Sequence, residues 1–313
     1  MGIYFLRRLL ATVPVMAVVA LFVFSLLYLA PGDPAAVIAG DQASPEQIAH
    51  IRASLGLDRP FIVRFGDWLW HILHGDLGTS IFTNLPVSHM IAQRIEPTLS
   101  LMVLTLLLSL AVAIPMGVIA AWRQGKWPDR VIMVFAVLGF STPVFVIGYV
   151  LAFVFALQLR WLPVQGFVPI ENGVWPCLRT LILPAFTLGG IYIALIARIT
   201  RAAMLDVLAQ DYVRTARAKG LGERAVLFVH ALKNAAVPIV TVVGLGVALL
   251  IGGAVVTESV FAIPGLGRLT VDAILRRDYP VIQGVVLLFS FVYVLVNLAV
   301  DLLYTLFDPR IRY

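Results

Sequence analysis

Three histidines, His71, His74 and His89, have the side-chain type and spacing that could bind a metal ion. His71 and His74 stand three residues apart, and two histidines at that spacing on a helix can share one zinc or nickel ion. No cysteine and no HExxH sequence lies near them to complete the ligand set. We therefore favour surface histidines, and we predict no metal-binding, catalytic or cofactor-binding residue in this chain.

Ionisable residues near apolar stretches are the next candidates, because such groups mark proton relays and ion pathways in membranes. Arg198, Glu258 and Asp301 are the candidates, and their spacing forms neither a relay nor a ring of like charges. Asp301 is either a partner of Arg198 or another basic residue, or an interfacial carboxylate, and we favour a structural role. The sequence also has no GxSxG motif and no GxxxxGK[ST] loop. Any nucleotide energy must therefore come from a partner.

Six apolar segments must position these groups. The chain has 313 residues, of which 61% are hydrophobic and 13% charged, too few polar residues to coat a soluble protein. Because an apolar run of about 20 residues spans a bilayer as a helix, we predict an all-α polytopic membrane protein with six transmembrane helices. The first segment is too long for a signal peptide, so we interpret it as a retained span. The six are Leu9 to Ala30, Thr98 to Ala121, Val131 to Leu159, Thr180 to Ala197, Ala235 to Thr257, and Val281 to Phe307.

The distribution of Lys and Arg predicts the orientation of these spans. With the N-terminus in the cytoplasm, the 60 inside residues hold 14 of the 23 Lys and Arg, and the 110 outside residues hold nine. This bias follows the positive-inside rule, so the net charge of +6 needs no nucleic-acid partner. The predicted organisation is a helix at 1–30, an extracytoplasmic loop at 31–97, a five-helix core at 98–307 with a cytoplasmic loop at 198–234, and a cytoplasmic tail at 308–313.

The predicted outer loop contains two helical patterns. In "SPEQIAHIRASLGL", Ser44 and Gln47 form a capping box, and Gly56 suits the residue just after the helix. The second pattern follows Pro60, and its apolar residues favour either a helix lying at the membrane surface or a docking surface for an external partner. Both interpretations stay open. The apolar residues of that second face are Phe61, Phe65, Trp68, Leu69 and Ile72.

Small and kinking residues recur within the predicted spans. In "GFSTPVF", Pro143 frees a backbone carbonyl that Ser141, Thr142 or water could satisfy. The glycines predict close helix packing and the prolines predict kinks. These residues are Gly139, Gly148, Gly189, Gly190, Gly244, Gly246, Gly252 and Gly253, with Pro115, Pro143, Pro184 and Pro238.

The cytoplasmic loop between the fourth and fifth spans has unusual charge and pattern. "DYVRTARAKGLGERAVLFVHALKN", Asp211 to Asn234, holds five of the 23 Lys and Arg. We predict one helix from Met204 to Ala218 with an apolar stripe that includes Tyr212 and Ala216. Gly220 and Gly222 then predict a turn, and Val226, Val229 and Leu232 mark one face of a second helix. The loop therefore predicts a helix, a glycine turn and a helix beneath the membrane.

This arrangement resembles the EAA loop of ATP-binding-cassette importer permeases. Arg214 and Thr215 replace the usual Glu and Ala, and His230 and Lys233 replace the usual Ile and Pro. The closer resemblance is to the dipeptide and oligopeptide branch of that family. Its version of the loop is similar to "DYVRTARAKGL" at Asp211 to Leu221 and "HALKNA" at His230 to Ala235.

Further strings extend the resemblance over nearly the whole chain. The outer loop and first span are similar to the first, B-type, permease of dipeptide importers. The strings are "LAPGDP" at 29–34, "LGLDRP" at 55–60, "GDLGTS" at 75–80, "FSTPVF" at 140–145, "ESVFAIPGLGRL" at 258–269 and "DPRIRY" at 308–313.

The resemblance implies a type I importer permease fold and several partners. It implies a homologous second permease, two ATP-binding-cassette ATPases that bind ATP and Mg, an extracytoplasmic substrate-binding protein, and surrounding lipid. It also implies a bacterial inner-membrane protein with both termini in the cytoplasm and no catalytic residues of its own. Alternating access would open the paired bundle to each side in turn.

The resemblance also implies a coupling helix seated in a groove of one ATPase. Ala216, Ala218 and Gly220 are small enough for close seating, and the cations could pair with acidic groups of the groove or with lipid phosphates. The implied coupling residues are Asp211, Tyr212, Val213, Arg214, Thr215, Ala216, Arg217, Ala218, Lys219, Gly220 and Leu221.

Several functions remain as alternatives at this point. Dipeptides or oligopeptides are the leading cargo, while related branches carry nickel, glutathione or a sugar. A stand-alone secondary carrier or channel would need a coupling-ion site or an internal repeat, and the sequence has neither signal. A membrane enzyme would need one of the missing catalytic motifs.

Overall fold

A computed structural model describes residues 2–29, 33–39, 43–54 and 56–307, and every extended regular element in these ranges is helical. An isolated antiparallel bridge joins Thr79 and Pro86. The predicted tail at 308–313 and part of the "LAPGDP" string lie outside the described residues. The helices are α1 Gly2–Leu29, α2 Pro34–Ala39, α3 Pro45–Ser54, α4 Phe61–Leu73, α5 Val87–Trp122, α6 Trp127–Ser141, α7 Val144–Leu151, α8 Val174–Leu208, α9 Asp211–Ala218, α10 Glu223–Ala225, α11 Leu232–Asn234, α12 Ala236–Val260, α13 Leu266–Arg276 and α14 Tyr279–Phe307.

Five of the described helices are long and apolar enough to cross a membrane, and they correspond to predicted spans one, two, four, five and six. They are α1, α5, α8, α12 and α14. The helices α5 and α8 extend furthest beyond the predicted bounds, since α5 begins at Val87 and α8 runs from Val174 to Leu208. Composition located the apolar part of each helix, whereas the polar turns that extend it carry no hydropathy signal.

The third predicted span is broken. The kinked span predicted from Val131 to Leu159 is α6 followed by α7 and a π-helix at Ala152–Gln158, with a bend of 107° between Trp127–Ser141 and Val144–Gln158. Pro143 stands at the break, and the Thr142 hydroxyl donates to the Leu138 carbonyl at 2.8 Å. The kink predicted at "GFSTPVF" is therefore present, and it is much sharper than a bend within one helix.

Two compact units make up the chain. One contains Ile95–Arg268 and the end of α14 from Leu295, and its core forms between α5, α7, α8 and α12. Glycines create close contacts in this core: Gly246 lies against the ring of Tyr192 and Gly244 against Val300. Tyr192 also donates to the carbonyl of Val243. Gly252 is an exception to the predicted packing, because a Cβ there would contact nothing within 4 Å.

The second unit contains residues Gly2–Arg94 and Leu269–Val294. The predicted capping box is present before α3, where the Gln47 amide donates to Ser44 Oγ at 3.2 Å and Gln47 Oε1 accepts from the Ser44 amide at 2.9 Å. The predicted apolar face of α4 packs within its own chain. Phe24 of α1 lies 5.3 Å from Phe61 and 5.2 Å from Trp68 between ring centroids. That part of the face is therefore occupied by α1.

Candidate functional site

The loop at 198–234, predicted to be cytoplasmic, begins with a change of direction that the sequence did not predict. The predicted helix from Met204 to Ala218 is interrupted, because α8 ends at Leu208 and α9 starts at Asp211. Gln210 has an extended backbone (φ −74°, ψ 148°), and its carbonyl accepts the first amide bonds of α9. Asp211 in the first turn favours this new start, since a carboxylate stabilises the positive end of a helix.

Val213 is the side chain that anchors α9, with 0% of its surface exposed. The predicted stripe was wrong at Tyr212, which is 43% exposed. The break at Gln210 rotates α9 relative to α8. An apolar stripe predicted for one continuous helix from Met204 to Ala218 therefore falls on the exposed side of α9 instead of its buried side. Burial of Val213 offsets part of the cost of breaking the helix. The solvent-exposed face of α9 consequently carries Tyr212, Arg214 and Thr215.

Gly220 ends α9 in a Schellman motif. Its φ is +82°, the Gly220 amide donates to the Arg217 carbonyl at 2.9 Å, and the Leu221 amide donates to the Ala216 carbonyl at 3.3 Å. A left-handed residue at this position is typically glycine. A Cβ at Gly220 would meet no atom of the chain within 4 Å. Within this chain, glycine is therefore required at position 220 by the backbone conformation and not by a lack of space.

Ion pairs brace the turn after α9. Arg217 Nε lies 2.9 Å from Glu223 Oε1, which joins α9 to α10 across Gly220. Arg214 lies 3.3 Å from Asp211 in an exposed pair on α9. Exposed pairs of this kind contribute little to stability. Lys219 is also exposed and has no ion pair among the described residues.

A π-helix replaces part of the second predicted helix. Residues Val226–Ala231 follow α10 directly and continue into α11. Val226, Leu227 and Ala231 are buried, while Val229, which was predicted on the buried stripe, is exposed. A π-helix pairs residue i with i+5, so the apolar face shifts away from a 3.6-residue count.

The buried side of the loop packs on three membrane helices, α5, α8 and α12. Leu227 and Ala231 pack in one cluster with Val118 of α5 and Ile239 of α12. Met204, near the end of α8, is fully buried in the same cluster. The loop therefore sits on packed side chains, and a force applied to α9 would reach these helices through the π-helix at Val226–Ala231, which contacts α9.

A partly buried ion pair fixes the turn between α5 and α6 to α8. Arg201 Nε lies 2.6 Å from Asp129 Oδ1, and Arg201 Nη2 donates to Asp129 Oδ2 at 2.8 Å. The Gly125 amide adds a bond of 2.9 Å to the same carboxylate. This bidentate pair holds the first turn of α6 against the C-terminal part of α8, because bidentate Arg–carboxylate pairs fix orientation as well as distance.

Comparison with known families supplies the identity of this arrangement. Residues 113–313 match the family described as "Binding-protein-dependent transport system inner membrane component", and residues 1–102 match the N-terminal family of the same transport systems. The chain belongs to this family. It is thus a multi-pass membrane component of a binding-protein-dependent importer, and we refer to it below as the permease.

Similar proteins cover the permease from end to end. It is 58% identical over 100% of both chains to a probable peptide ABC transporter permease protein, y4tP, of Sinorhizobium fredii. It is 48% identical over 98% of both chains to a putative peptide transport system permease protein of Brucella abortus. It is 46% identical over 99% of both chains to the glutathione transport system permease protein GsiC of Salmonella typhimurium.

Solved structures support the fold. The permease matches a chain of the inward-facing MetNI methionine ABC transporter with a TM-score of 0.58 at 15% identity, over 70% of the permease and 96% of that chain. The predicted type I importer permease fold is therefore confirmed.

A buried cluster at the other end of α5 and α12 was missed in the sequence. Glu258, near the end of α12, has 0% exposure, and its Oε1 accepts from the Thr98 hydroxyl at 2.6 Å. The Arg268 amide donates to Glu258 Oε2 at 3.0 Å, and the Leu266 amide donates to the Thr98 hydroxyl at 2.8 Å. Gly265 has no room for a Cβ because it lies against the same carboxylate. Glu258 thus ties the start of α13 to α5 and α12.

One sequence signal could have found this cluster. Glu258 is the acidic residue of the "ESVFAIPGLGRL" string. The two glycines of that string, Gly265 and Gly267, lie where a side chain would collide with the Glu258 carboxylate. A carboxylate that ends an apolar span needs several donors when it is buried. The partner Thr98 lies 160 residues away and carries no local signal.

The three candidate metal ligands make other contacts. His71 lies 3.3 Å from Asp76, His74 lies 2.8 Å from the carbonyl of Trp70, and His89 lies 2.9 Å from the Gln93 amide nitrogen. Among the described residues, no group of three or more His, Cys, Asp or Glu side chains is arranged to hold a metal ion.

Proposed function

We propose that the permease forms half of the translocation pathway of an ATP-driven importer and that residues Asp211 to Leu221 are its contact with one ATPase. The observation that supports the proposal is the mounting of α9. Val213 anchors the helix, the packed cluster beneath the loop joins α5 and α12, and the outer face of α9 is exposed. A short helix mounted in this way can transmit a rigid displacement without chemistry of its own.

The remaining parts of the assembly follow from the same proposal. A homologous second permease would complete the pathway, two ATPases would hydrolyse ATP with Mg, and an extracytoplasmic binding protein would deliver the cargo. Closure of the ATPases around ATP would open the paired permeases outward, and hydrolysis would return them inward. The charge bias supports a cytoplasmic location for both termini and for α9.

Dipeptides or oligopeptides are the cargo that we propose. The relatives described as peptide permeases are 48% to 58% identical to the chain, and the glutathione permease is 46% identical. Glutathione is itself a small peptide, so it is the second candidate. In either case the cargo has an amide backbone and a free carboxylate.

Reconstitution in liposomes tests the proposed function. The permease should copurify with a sister permease and ATPase subunits, and ATP hydrolysis should rise when the binding protein carries a di- or oligopeptide. Glutathione in place of the peptide should give a smaller response. A permease that purifies alone and moves solute without ATP would instead be a stand-alone carrier, and the proposal would be wrong.

A further inference from the structure

A groove between α6 and α8 contains a cation for which the proposed function has named no role. The alanines at its base are buried, and the small side chains of Ala136 and Ala194 leave a cavity of about 150 Å³. Gly139 allows the two helices to approach closely, because a Cβ there would lie 3.3 Å from the Gly190 carbonyl oxygen. We call this cavity the Arg198 groove, and its lining includes Ala136, Val137, Phe140, Ser141, Ala194 and Arg198.

Arg198 is exposed in the groove and has no carboxylate partner in the described part of the chain. Its guanidinium carbon lies 5.9 Å from the centroid of the Phe140 ring, which is a cation–π contact. Asp129 is the one carboxylate of α6, and Arg201 binds it. Asp206 is the one carboxylate of α8, and it is exposed two turns beyond Arg198. The charge of Arg198 is therefore uncompensated within these two helices, and a bound anion would compensate it.

The Arg198 side chain extends away from the predicted cytoplasmic end of α8. Asp129 and Phe140 lie about 16 Å apart along α6. Arg201 and Arg198 are only one turn apart on α8, yet Arg201 binds Asp129 and Arg198 contacts Phe140. An arginine that anchors a span extends its charged group toward the interface, where lipid phosphates lie. The direction of Arg198 is the opposite, so neither anchoring nor a lipid phosphate accounts for it.

The groove reaches the C-terminal end of α6, where hydrogen-bond acceptors are available. Ser141 lines the groove and is the last residue of that helix. Pro143 has no amide hydrogen to donate to the Gly139 carbonyl, and the first amide bonds of α7 go to the Pro143 carbonyl. The C-terminal end of a helix carries partial negative charge, which favours cations and N–H donors. The groove thus combines a cation with a helix end that attracts N–H groups.

We propose that the Arg198 groove binds the carboxylate end of a peptide while the cargo crosses the permease. The inference rests on the proposed function, in which the cargo has an amide backbone and a free carboxylate. Arg198 would donate to that carboxylate, and the end of α6 at Ser141 would accept from a peptide N–H. Sites that enclose a whole ligand measure roughly 300–1,000 Å³. A cavity of about 150 Å³ therefore accommodates one end of the peptide.

Photocrosslinking in the assembled transporter tests the Arg198 groove. The photoreactive residue p-benzoylphenylalanine replaces Val137, which lines the groove, or Phe135, which is exposed on α6 outside it. The reconstituted transporter, with its binding protein and ATP, is illuminated while it imports radiolabelled trialanine or glutathione. The cargo should attach at position 137 about tenfold more than at position 135. Arg198→Gln should reduce attachment at position 137 about tenfold, because the carboxylate loses its charged donor.

Two further arginine variants are the controls for Arg198→Gln. Arg198→Lys keeps the charge and should restore part of the attachment at position 137, which a folding defect would not allow. Arg130→Gln removes an exposed arginine of α6 outside the groove and should leave attachment at the wild-type level. Equal losses in Arg198→Gln and Arg198→Lys would assign Arg198 to the packing of the groove and overturn the cargo site.

The remaining outcomes separate the cargo site from the proposed function. Equal attachment at positions 137 and 135, or attachment that Arg198→Gln leaves unchanged, would overturn the cargo site while leaving the importer function in place. Attachment of position 137 to phospholipid or to the sister permease, in place of the cargo, would assign the groove to that partner and also overturn the proposal. A wild-type transporter that imports neither trialanine nor glutathione would remove the proposed cargo and the groove's role together.

Discussion

Gly220→Arg is expected to leave the permease inserted and assembled while reducing substrate-stimulated ATP hydrolysis by about tenfold or more. Gly220 has a φ of +82° and ends α9, and a side chain added there would point into space that the chain leaves empty. That space is where the proposed ATPase groove would seat against the helix. The measurement is stimulated ATP hydrolysis of the reconstituted transporter.

Gly220→Asn and Gly220→Ala are the matched variants. Asparagine tolerates the left-handed conformation better than alanine does, so Gly220→Asn adds bulk with less backbone strain. We expect Gly220→Asn to lose coupling more than Gly220→Ala, since the partner meets the larger side chain. A Gly220→Arg transporter with wild-type stimulation would contradict the coupling role. If Gly220→Ala, the more strained variant, loses more stimulated ATP hydrolysis than Gly220→Asn, glycine is needed at this position for the backbone of the loop and not for the ATPase contact.

Thr98→Val is expected to destabilise the permease by about 2–4 kcal/mol. The substitution keeps the shape of the side chain but removes the hydroxyl that joins the Leu266 amide to Glu258. Glu258→Ala should cost about 3–5 kcal/mol, because it leaves the Thr98 hydroxyl and the Arg268 amide without their acceptor and leaves a cavity at a fully buried position. The free energy of unfolding in mixed detergent micelles measures both effects.

Thr98→Ser is the control for the Glu258 cluster, because it retains the hydroxyl. It should lie within about 1 kcal/mol of the wild type. The double variant Thr98→Val with Glu258→Ala should cost less than the sum of the single changes, since both remove the same hydrogen bond. Equal stability of Thr98→Val and Thr98→Ser would show that the bond contributes nothing.

The Glu258 cluster and the loop at 198–234 lie at opposite ends of α5 and α12. Thr98 and Glu258 join α5 to α12 at one end, and Val118 and Ile239 pack with the loop at the other. We expect α5 and α12 to move together as one rigid pair when α9 is displaced. The turn from Ala262 to Gly267, tied to Glu258, would then move with them.

Sequence patterns predicted the elements whose cause is local. The apolar part of each membrane span was found because hydropathy is summed over about 20 neighbouring residues. The capping box of Ser44 and Gln47 was found because both residues are within one turn. Pro143 located the break in the third span, whereas the bend of 107° depends on packing that the local sequence does not encode.

The structure of the loop at 198–234 was predicted only in part, for a physical reason. The glycine turn at Gly220 has a strong local signal and was found. The break at Gln210 has none, because its stabilisation comes from the burial of Val213. The π-helix likewise shifts Val229 outward against a count of 3.6 residues per turn.

Local sequence patterns do not predict which buried polar side chains pair with each other. Thr98 and Glu258 are 160 residues apart, and Ser80 and Asp278 are 198 residues apart. Each carboxylate can be recognised as needing donors once it is known to be buried. Its partner is set by the fold, so the pairing follows only from the structure.

Cysteine crosslinking from α9 is the most direct test of the account. Cys177 is buried and can be replaced by serine, after which Thr215→Cys provides one reactive thiol on the exposed face of α9. Gln124→Cys is the matched control, because Gln124 is also exposed and lies on the loop between α5 and α6, which is predicted to face the same side of the membrane. We expect Thr215→Cys to crosslink to an ATPase subunit in the assembled transporter, with a yield that changes when ATP is bound. Crosslinking to the ATPase from Gln124→Cys and none from Thr215→Cys would contradict this expectation.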